Sequence, residues 1–241
     1  IPYFERDGIV IYHGDCREIL PTIDPRAVSL LLTDPPYGIN LDTRNAARGR
    51  SGHARAQRPP GHSQKQALAP ASDYARVYGD GEPYDPSPLL RFRRLVVFGA
   101  NHFASRLPDS PSWIVWNKIA GLTARRRALG ICDNADAELL WTNIGGPVRI
   151  LEHQWLGLMK GTERGEARVH PTQKPVALLR WLIDYYSQPG DMILDPYLGS
   201  GTTLRAALDQ SRRGIGIEIE ERYCEIAARR LDQMALPLEA V

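Results

Sequence analysis

The chain has 241 residues with a formal net charge of +2, and 43% of its residues are hydrophobic and 24% charged. These values are ordinary for a soluble globular protein and allow a sizeable core. No apolar run approaches the roughly 18 residues of a membrane span, which excludes an integral helical membrane protein. No secretory signal is visible, so a cytoplasmic location is expected. The length suits a single domain over residues 1–241.

The cysteines give no sign of a disulfide framework or a metal site. Cys16, Cys132 and Cys224 are far apart, and the sequence contains no CxxC pair and no Cys/His cluster with zinc spacing. We expect reduced side chains, as in a cytosolic protein, and no bound metal.

Two strands are predicted within the first forty residues. Alternating polarity predicts one from about Gly8 to Tyr12, and a short helix begins near Cys16. The continuous apolar run AVSLLLT, residues 27–33, is typical of a strand covered on both faces in a parallel sheet. It stops at the stretch TDPPYG, residues 33–38, because prolines cannot donate to a sheet ladder.

Residues 41–80 interrupt this pattern. They are rich in Arg, Gly, Ala, Gln and Pro and show no apolar period. A loop this long within a compact domain is usually functional or disordered.

Strands and helices alternate through the rest of the chain. Residues 87–94 are predicted to form a helix, and three strands are predicted at residues 95–101, 112–118 and 136–143. Three further units each lead into a helix: HPTQKPVALLRWLIDYYS (170–187), DMILDPYLGSGTTLRAAL (191–208) and RRGIGIEIEERYCEIAARRL (212–231). This alternation predicts an α/β fold with a doubly wound, mostly parallel sheet.

The glycine turn DPYLGSGTT, residues 195–203, is consistent with three kinds of cofactor. A nucleotide triphosphate loop needs a Lys after its last glycine, and none follows Gly201. A dinucleotide fingerprint needs a third glycine, where this chain has Leu204. S-adenosylmethionine (SAM) carries no phosphate but an ammonium group, which suits an acid such as Asp195 beside the glycines. Glu218, at the end of the next strand, is placed to bind ribose hydroxyls, unless it only begins a helix.

The stretch TDPPYG places an acid at the carboxyl end of a strand, where open α/β sheets bind ligands. Asp34 and the Pro35 carbonyl can accept hydrogen bonds from one amino group, and Tyr37 offers a ring face for stacking. This set suits the exocyclic amine of a base removed from its duplex. The alternative is a local turn with a packed tyrosine.

The three motifs TDPPYG, HPTQKP and DPYLGSGTT, in this order, resemble those of the β-group amino DNA methyltransferases. In that group the catalytic motif precedes the cofactor motif, which implies a circularly permuted, Rossmann-like methyltransferase fold. The resemblance covers about Gly8 to Leu231. It implies SAM as the cofactor and double-stranded DNA as the partner.

The resemblance also implies roles for individual residues. Asp34, Pro35, Pro36 and Tyr37 would be catalytic. Asp15 would contact the adenine of the cofactor and Glu218 its ribose, while residues 172–174 would lie near its methionine carboxylate. The full set implied for cofactor binding is Asp15, His170, Thr172, Gln173, Lys174, Asp195, Tyr197, Gly199, Gly201, Thr202 and Glu218.

The implied reaction is direct transfer of the SAM methyl group to the N6 amine of a flipped adenine, without metal or covalent enzyme intermediate. Cytosine-N4 methylation is the nearest alternative, although members with that activity more often carry Ser at the position of Asp34. C5-cytosine methylation is disfavoured because no Cys follows a Pro. A non-catalytic nucleic-acid-binding module on the same fold is less consistent with the retained acids, and an NAD-dependent oxidoreductase less still.

Two basic clusters are candidates for DNA contact, with a solvated loop as the alternative for each. They comprise Arg44, Arg48, Arg50, Arg55, Arg58 and Lys65 in the loop, and Arg125, Arg126 and Arg127 further on. Target recognition is expected within residues 121–169, which is short for this family. A homodimer and a cognate restriction endonuclease are compatible with the resemblance and are left open by the sequence.

Overall fold

The structure, a computed structural model, describes residues 1–40, 77–120, 135–156, 159–160, 162 and 172–234. Within them the strands are β1 (Phe4–Arg6), β2 (Ile9–His13), β3 (Leu30–Thr33), β4 (Leu95–Phe98), β5 (Trp113–Asn117), β6 (Ala137–Thr142), β7 (Arg149–Glu152), β8 (Trp155–Leu156), β9 (Met159–Lys160), β10 (Met192–Asp195) and β11 (Arg213–Glu218). The helices are α1 (Cys16–Ile19), α2 (Val176–Tyr186), α3 (Thr202–Leu208) and α4 (Glu221–Met234).

Nine of the described strands form one sheet in the order β1-β2-β11-β10-β3-β4-β6-β5-β7. The strands from β2 to β4 in this order run parallel to one another and make up its centre. Antiparallel pairs join β1 to β2 and β6 to both β4 and β5, while β7 runs parallel to β5. The C-terminal strands β11 and β10 lie between the N-terminal strands β2 and β3, so the two ends of the chain contribute adjacent strands.

The central strands are apolar because both of their faces are covered. Leu30 and Leu32 of β3 pack on the face that holds α2, whereas Leu31 packs on the other face with Phe92. Each of these leucines is fully buried. This alternation is the two-residue period of a strand, and it explains the unbroken apolar run in the sequence.

The predicted fold class is confirmed, and the predicted strand and helix units that enclose the two main motifs are present. The predicted helix over residues 87–94 was wrong. Only Ser87–Leu89 form a single 3₁₀ turn there, with Pro88 in its first turn. The edge strands β1 and β7 were not predicted because they are short and largely exposed.

Among the described helices, none is long and apolar enough to cross a membrane. The same part of the chain contains no group of three or more His, Cys, Asp or Glu side chains placed to hold a metal ion.

Candidate active site

Carboxylates gather at the edge of the sheet where the central parallel strands end. They follow β2 and β3 and end β10 and β11: Asp15, Asp34, Asp195 and Glu218. Neighbouring strand ends are tied together, since Thr33 Oγ1 donates to Asp195 Oδ1 at 2.7 Å and Gly14 N donates to the Glu218 carbonyl at 2.9 Å. Ligands of open α/β sheets bind at this edge.

The proline turn, residues 34–37, places a carboxylate beside an aromatic hydroxyl. Pro35 is buried and the Asp34 side chain is 18% exposed. Tyr37 folds back, so that its hydroxyl oxygen lies 2.5 Å from Asp34 Oδ1. Asp80 holds the next two residues by accepting hydrogen bonds from Gly38 N and Ile39 N.

The position of Tyr37 depends on the turn after β4. Gly99 has a φ of 63°, and a Cβ atom there would lie 2.0 Å from Tyr37 Cε1. Only glycine therefore allows this approach. The exposed ring of His102, from the same turn, stacks on Tyr37 with centroids 5.0 Å apart and planes 13° apart. A planar ring thus already lies against this tyrosine.

Three charged side chains contact the Tyr37 hydroxyl, and a fourth, Lys118, contacts one of them. We call Asp34, Glu138, Lys118 and Lys174 the four-charge cluster. Lys174 Nζ lies 2.6 Å from Asp34 Oδ2 and 3.0 Å from Glu138 Oε1. Lys118 Nζ lies 2.7 Å from Glu138 Oε2. Each side chain is at most 20% exposed, so water screens these charges only weakly.

The pKa values of the two carboxylates of the cluster shift in opposite directions. Burial raises the pKa of Asp34; Lys174 opposes this shift and Glu138 adds to it. Burial would also raise the pKa of Glu138, but the two lysines beside it hold that pKa at about 2. Glu138 is therefore ionised at any working pH, whereas Asp34 is the group whose proton is easier to retain.

The glycine turn, residues 195–203, is held by backbone amides and hydroxyl groups. Asp195 Oδ1 accepts from Tyr197 N at 3.1 Å as well as from Thr33. Glu218 accepts from Gly199 N through one oxygen and from Glu220 N through the other, both at 2.8 Å. Burial raises the pKa of Asp195 to about 6 and also raises the pKa of Glu218. Neighbouring carboxylates add to both shifts: Asp34 to that of Asp195, and Glu220 and Asp195 to that of Glu218.

The N-terminal end of α3 packs tightly on α4. Gly201 has a φ of 80°, and a Cβ atom there would lie 2.7 Å from the Cβ of Ala227. Arg230, on α4, fastens the turn by donating to the Ser200 carbonyl at 2.6 Å. The backbone of the turn therefore stays close to Glu218.

The chemistry of this region fits SAM. The cofactor offers hydrogen-bond donors and positive charge, namely an ammonium group, a sulfonium, two ribose hydroxyls and an adenine amine. The carboxylates of Asp195 and Glu218 are buried and have raised pKa values, so a cationic ligand rich in donors would relieve their unfavourable charge. A pyrophosphate, by contrast, would bring more negative charge to them.

The other predicted site residues differ in their contacts and their burial. Asp15 caps α1 and pairs with Arg17, and this hydrogen bonding lowers its pKa. Lys174 contacts Asp34, whereas the sequence had associated it with the cofactor, a role that stays a prediction. Gln173 is buried and Thr172 half-buried in front of α2. His170 and the basic residues Arg44, Arg48, Arg50, Arg55, Arg58, Lys65, Arg125, Arg126 and Arg127 lie outside the described residues.

Sequence reasoning missed Glu138, Lys118 and His102. Each lies in a stretch that was predicted as a strand or turn without chemistry. The one available signal was the acid within the apolar strand DAELLWTN, because an acid in that setting needs a partner. Trp116 is the register partner of Glu138 in the antiparallel β5–β6 pair, and this register brings Lys118 close to Glu138.

Comparison with known proteins indicates the family of the chain. A sequence model of the DNA methylase family matches residues 140–229. YubD of Escherichia coli (strain K12), named as a methylase, is 30% identical, with 90% of this chain and 88% of YubD covered. The type II methyltransferase M.ScaI of Streptomyces caespitosus is 29% identical, with 98% of this chain and 86% of M.ScaI covered.

Solved structures share the fold. The cytosine-N4-specific PvuII DNA methyltransferase has a TM-score of 0.57 at 15% identity, with 96% of this chain and 88% of that chain covered. TTHA0409 of Thermus thermophilus, named as a DNA modification methylase, has a TM-score of 0.53 at 18% identity, with coverage of 95% and 96%.

The fold is that of the SAM-dependent DNA methyltransferases. The chain belongs to the N6/N4 DNA methyltransferase family. The cofactor expected from the sequence is thereby confirmed as SAM, and DNA is confirmed as the class of substrate.

Proposed function

We propose that this chain methylates the N6 amino group of adenine in double-stranded DNA. The observation that carries the proposal is the contact between Asp34 and Tyr37 at the sheet edge that also holds Asp195 and Glu218. An acceptor for an amine and a carboxylate-lined cofactor region thus adjoin each other.

The chain would act on the amine mainly by orientation. Asp34 and the Pro35 carbonyl would accept its two N–H groups and turn its lone pair out of the ring plane. Tyr37 would contribute a face for the flipped base, in place of or beside His102. SAM supplies an electrophilic methyl group when it is bound. Asp34, whose pKa is raised by burial, is suited to take the proton that the amine loses.

The residues proposed to hold the cofactor follow from the chemistry of their side chains. Glu218 would accept from the ribose hydroxyls, and Asp195 would attract the ammonium group. Asp15 would accept from the adenine amine, and Gly199 and Gly201 would let the backbone lie close. Thr172, Gln173 and Lys174 remain proposed for the carboxylate end, and His170, Tyr197 and Thr202 complete the set proposed to bind the cofactor.

Adenine is proposed over cytosine because Asp34 is an acid. Family members that act on cytosine N4 more often carry Ser at the matching position. Both bases present an exocyclic amine, so the proposal depends on this one residue. N4-methylcytosine in the product DNA would overturn it.

The decisive variant is Asp34→Asn. The amide has one acceptor oxygen instead of two and no charge, so transfer of labelled methyl from SAM to DNA should fall by about 10²–10⁴-fold. SAM affinity, measured by calorimetry, should stay within about threefold of the wild type. Asp109→Asn, at an exposed position, is the matched control and should behave like the wild type. Wild-type transfer by Asp34→Asn would contradict the proposal.

We extend the proposal to a place in a restriction–modification pair, by likeness to the type II methyltransferase M.ScaI. Plasmid DNA from cells that express the chain should then resist a cognate endonuclease from the same source. Cleavage of fully methylated DNA by that endonuclease would count against it.

A further inference from the structure

Glu138, a residue outside the motifs, shares the two donors that reach Asp34. Its Oε1 lies 2.7 Å from the Tyr37 hydroxyl and 3.0 Å from Lys174 Nζ. The same two groups lie 2.5 and 2.6 Å from the two oxygens of Asp34. The rings of Phe98 and Tyr37 lie 5.1 and 5.8 Å from the Lys174 ammonium, so these contacts lie beside aromatic surface.

The Tyr37 hydroxyl has two acceptors and only one hydrogen. Tyr37 has one hydroxyl hydrogen and donates to Asp34 or to Glu138, but not fully to both. When Tyr37 and Lys174 both donate to Asp34, each carboxylate oxygen already accepts a hydrogen bond. A target amine would then share Asp34 with a buried ammonium, which is the stronger donor because it is charged.

Glu138 gives both donors a second acceptor. If they turn to Glu138, Asp34 is released without leaving a buried hydroxyl or ammonium unpaired, which would be costly. Lys118 keeps Glu138 in place by binding its other oxygen at 2.7 Å. The low pKa of Glu138, held at about 2 by the two lysines against burial, keeps this acceptor charged.

We propose that Glu138 is a positioning residue for methyl transfer, which takes the Lys174 ammonium and the Tyr37 hydroxyl from Asp34 when Asp34 accepts the target amine. The inference rests on the proposed function of Asp34. Glu138 acts through its two neighbours, Tyr37 and Lys174, and not on the base.

The charged groups that face Asp34 within the described residues all enter the expected pH dependence. Lys174 lowers the pKa of Asp34 and so does the hydrogen bond from Tyr37, whereas Glu138 raises it. Asp195 is the next carboxylate along the sheet edge, and Lys118 acts through Glu138. His102 stacks on the ring of Tyr37.

The test is the pH profile of kcat/KM for Glu138→Gln. Asp34 must be ionised to accept the amine, so activity falls as the pH drops through the pKa of Asp34. Removing the Glu138 charge lowers that pKa and lets Lys174 settle on Asp34. The acidic limb should therefore move to lower pH, by about one unit, while kcat at pH 8 falls about 10–100-fold. SAM affinity should stay within about twofold of the wild type.

Glu152→Gln is the matched control, because it neutralises an exposed glutamate on β7, and it should give the wild-type profile. Lys118→Met provides a second variant with the opposite sign. Without Lys118, Glu138 draws Lys174 away from Asp34, so the acidic limb should move to higher pH. A limb that stays in place in Glu138→Gln, or that moves down in Lys118→Met, would overturn the proposal, since a purely structural role changes stability alone.

Titration of the Asp34 carboxyl carbon by NMR in the cofactor-free protein gives the same answer without activity. Its pKa should fall in Glu138→Gln and rise in Lys118→Met. If the two variants show these pKa shifts but the wild-type protein transfers no methyl group to DNA, only the proposed function is rejected. Active protein without these shifts would reject the role of Glu138 alone.

Discussion

The proline turn and the glycine turn differ in the groups that face their buried acids. At the proline turn, Asp34 and Glu138 face two lysines, so the four-charge cluster is neutral overall. At the glycine turn, Asp195 and Glu218 accept from backbone amides and a hydroxyl, and burial leaves their pKa values raised. The difference indicates what each region binds. Balanced charge suits a neutral base, and unbalanced negative charge suits a cation.

The largest effect on the glycine-turn side is expected from Glu218→Gln. A glutamine has one acceptor oxygen, whereas Glu218 accepts from Gly199 N and Glu220 N through different oxygens, so an amide group would face one of these donors. Losing the charged acceptor for ribose should weaken SAM binding by about 2 kcal/mol, or roughly 30-fold.

Calorimetry with SAM checks this, with Glu221→Gln at the exposed start of α4 as the control. An unchanged affinity in Glu218→Gln would remove the distinction between the two turns.

A smaller effect is expected from pH. Asp195 has a raised pKa of about 6, so it loses its charge as the pH falls through 6. A cationic ligand binds the ionised form, so the affinity for SAM should be constant above about pH 7 and weaken by up to tenfold per unit below 6.

Calorimetry between pH 8 and pH 5 measures this directly. In Asp195→Asn the affinity should be weaker at pH 8 and nearly independent of pH down to 5. A wild-type affinity that stays flat across this range would show that Asp195 does not attract the ammonium group.

The smallest effect concerns DNA. Neutralising Arg44, Arg48 and Arg50 together should flatten the salt dependence of DNA binding by up to about three phosphate contacts, because each cation that meets a phosphate releases a counterion. SAM affinity should not change, since these arginines are not among the residues proposed to bind the cofactor. Fluorescence anisotropy over a range of salt concentrations gives the slope. An unchanged slope would show that these three arginines do not contact DNA phosphates.

The sequence predicted most of what lies on one strand and its following turn. Asp34, Asp195 and Glu218 each end an apolar strand, and parallel strands bring such ends to one edge, so their proximity was foreseeable. Glu138 was not, because its place depends on the antiparallel return of β6 between β4 and β5. Nothing local distinguishes that strand from a parallel one. The contact between Lys174 and Asp34 likewise joins residues 140 positions apart.

Single-molecule sequencing of plasmid DNA from cells that express this chain tests the central claim most directly. The account predicts N6-methyladenine at a defined sequence, and its loss when the plasmid carries Asp34→Asn. N4-methylcytosine at the modified sites, or DNA without any added methyl group, would contradict it.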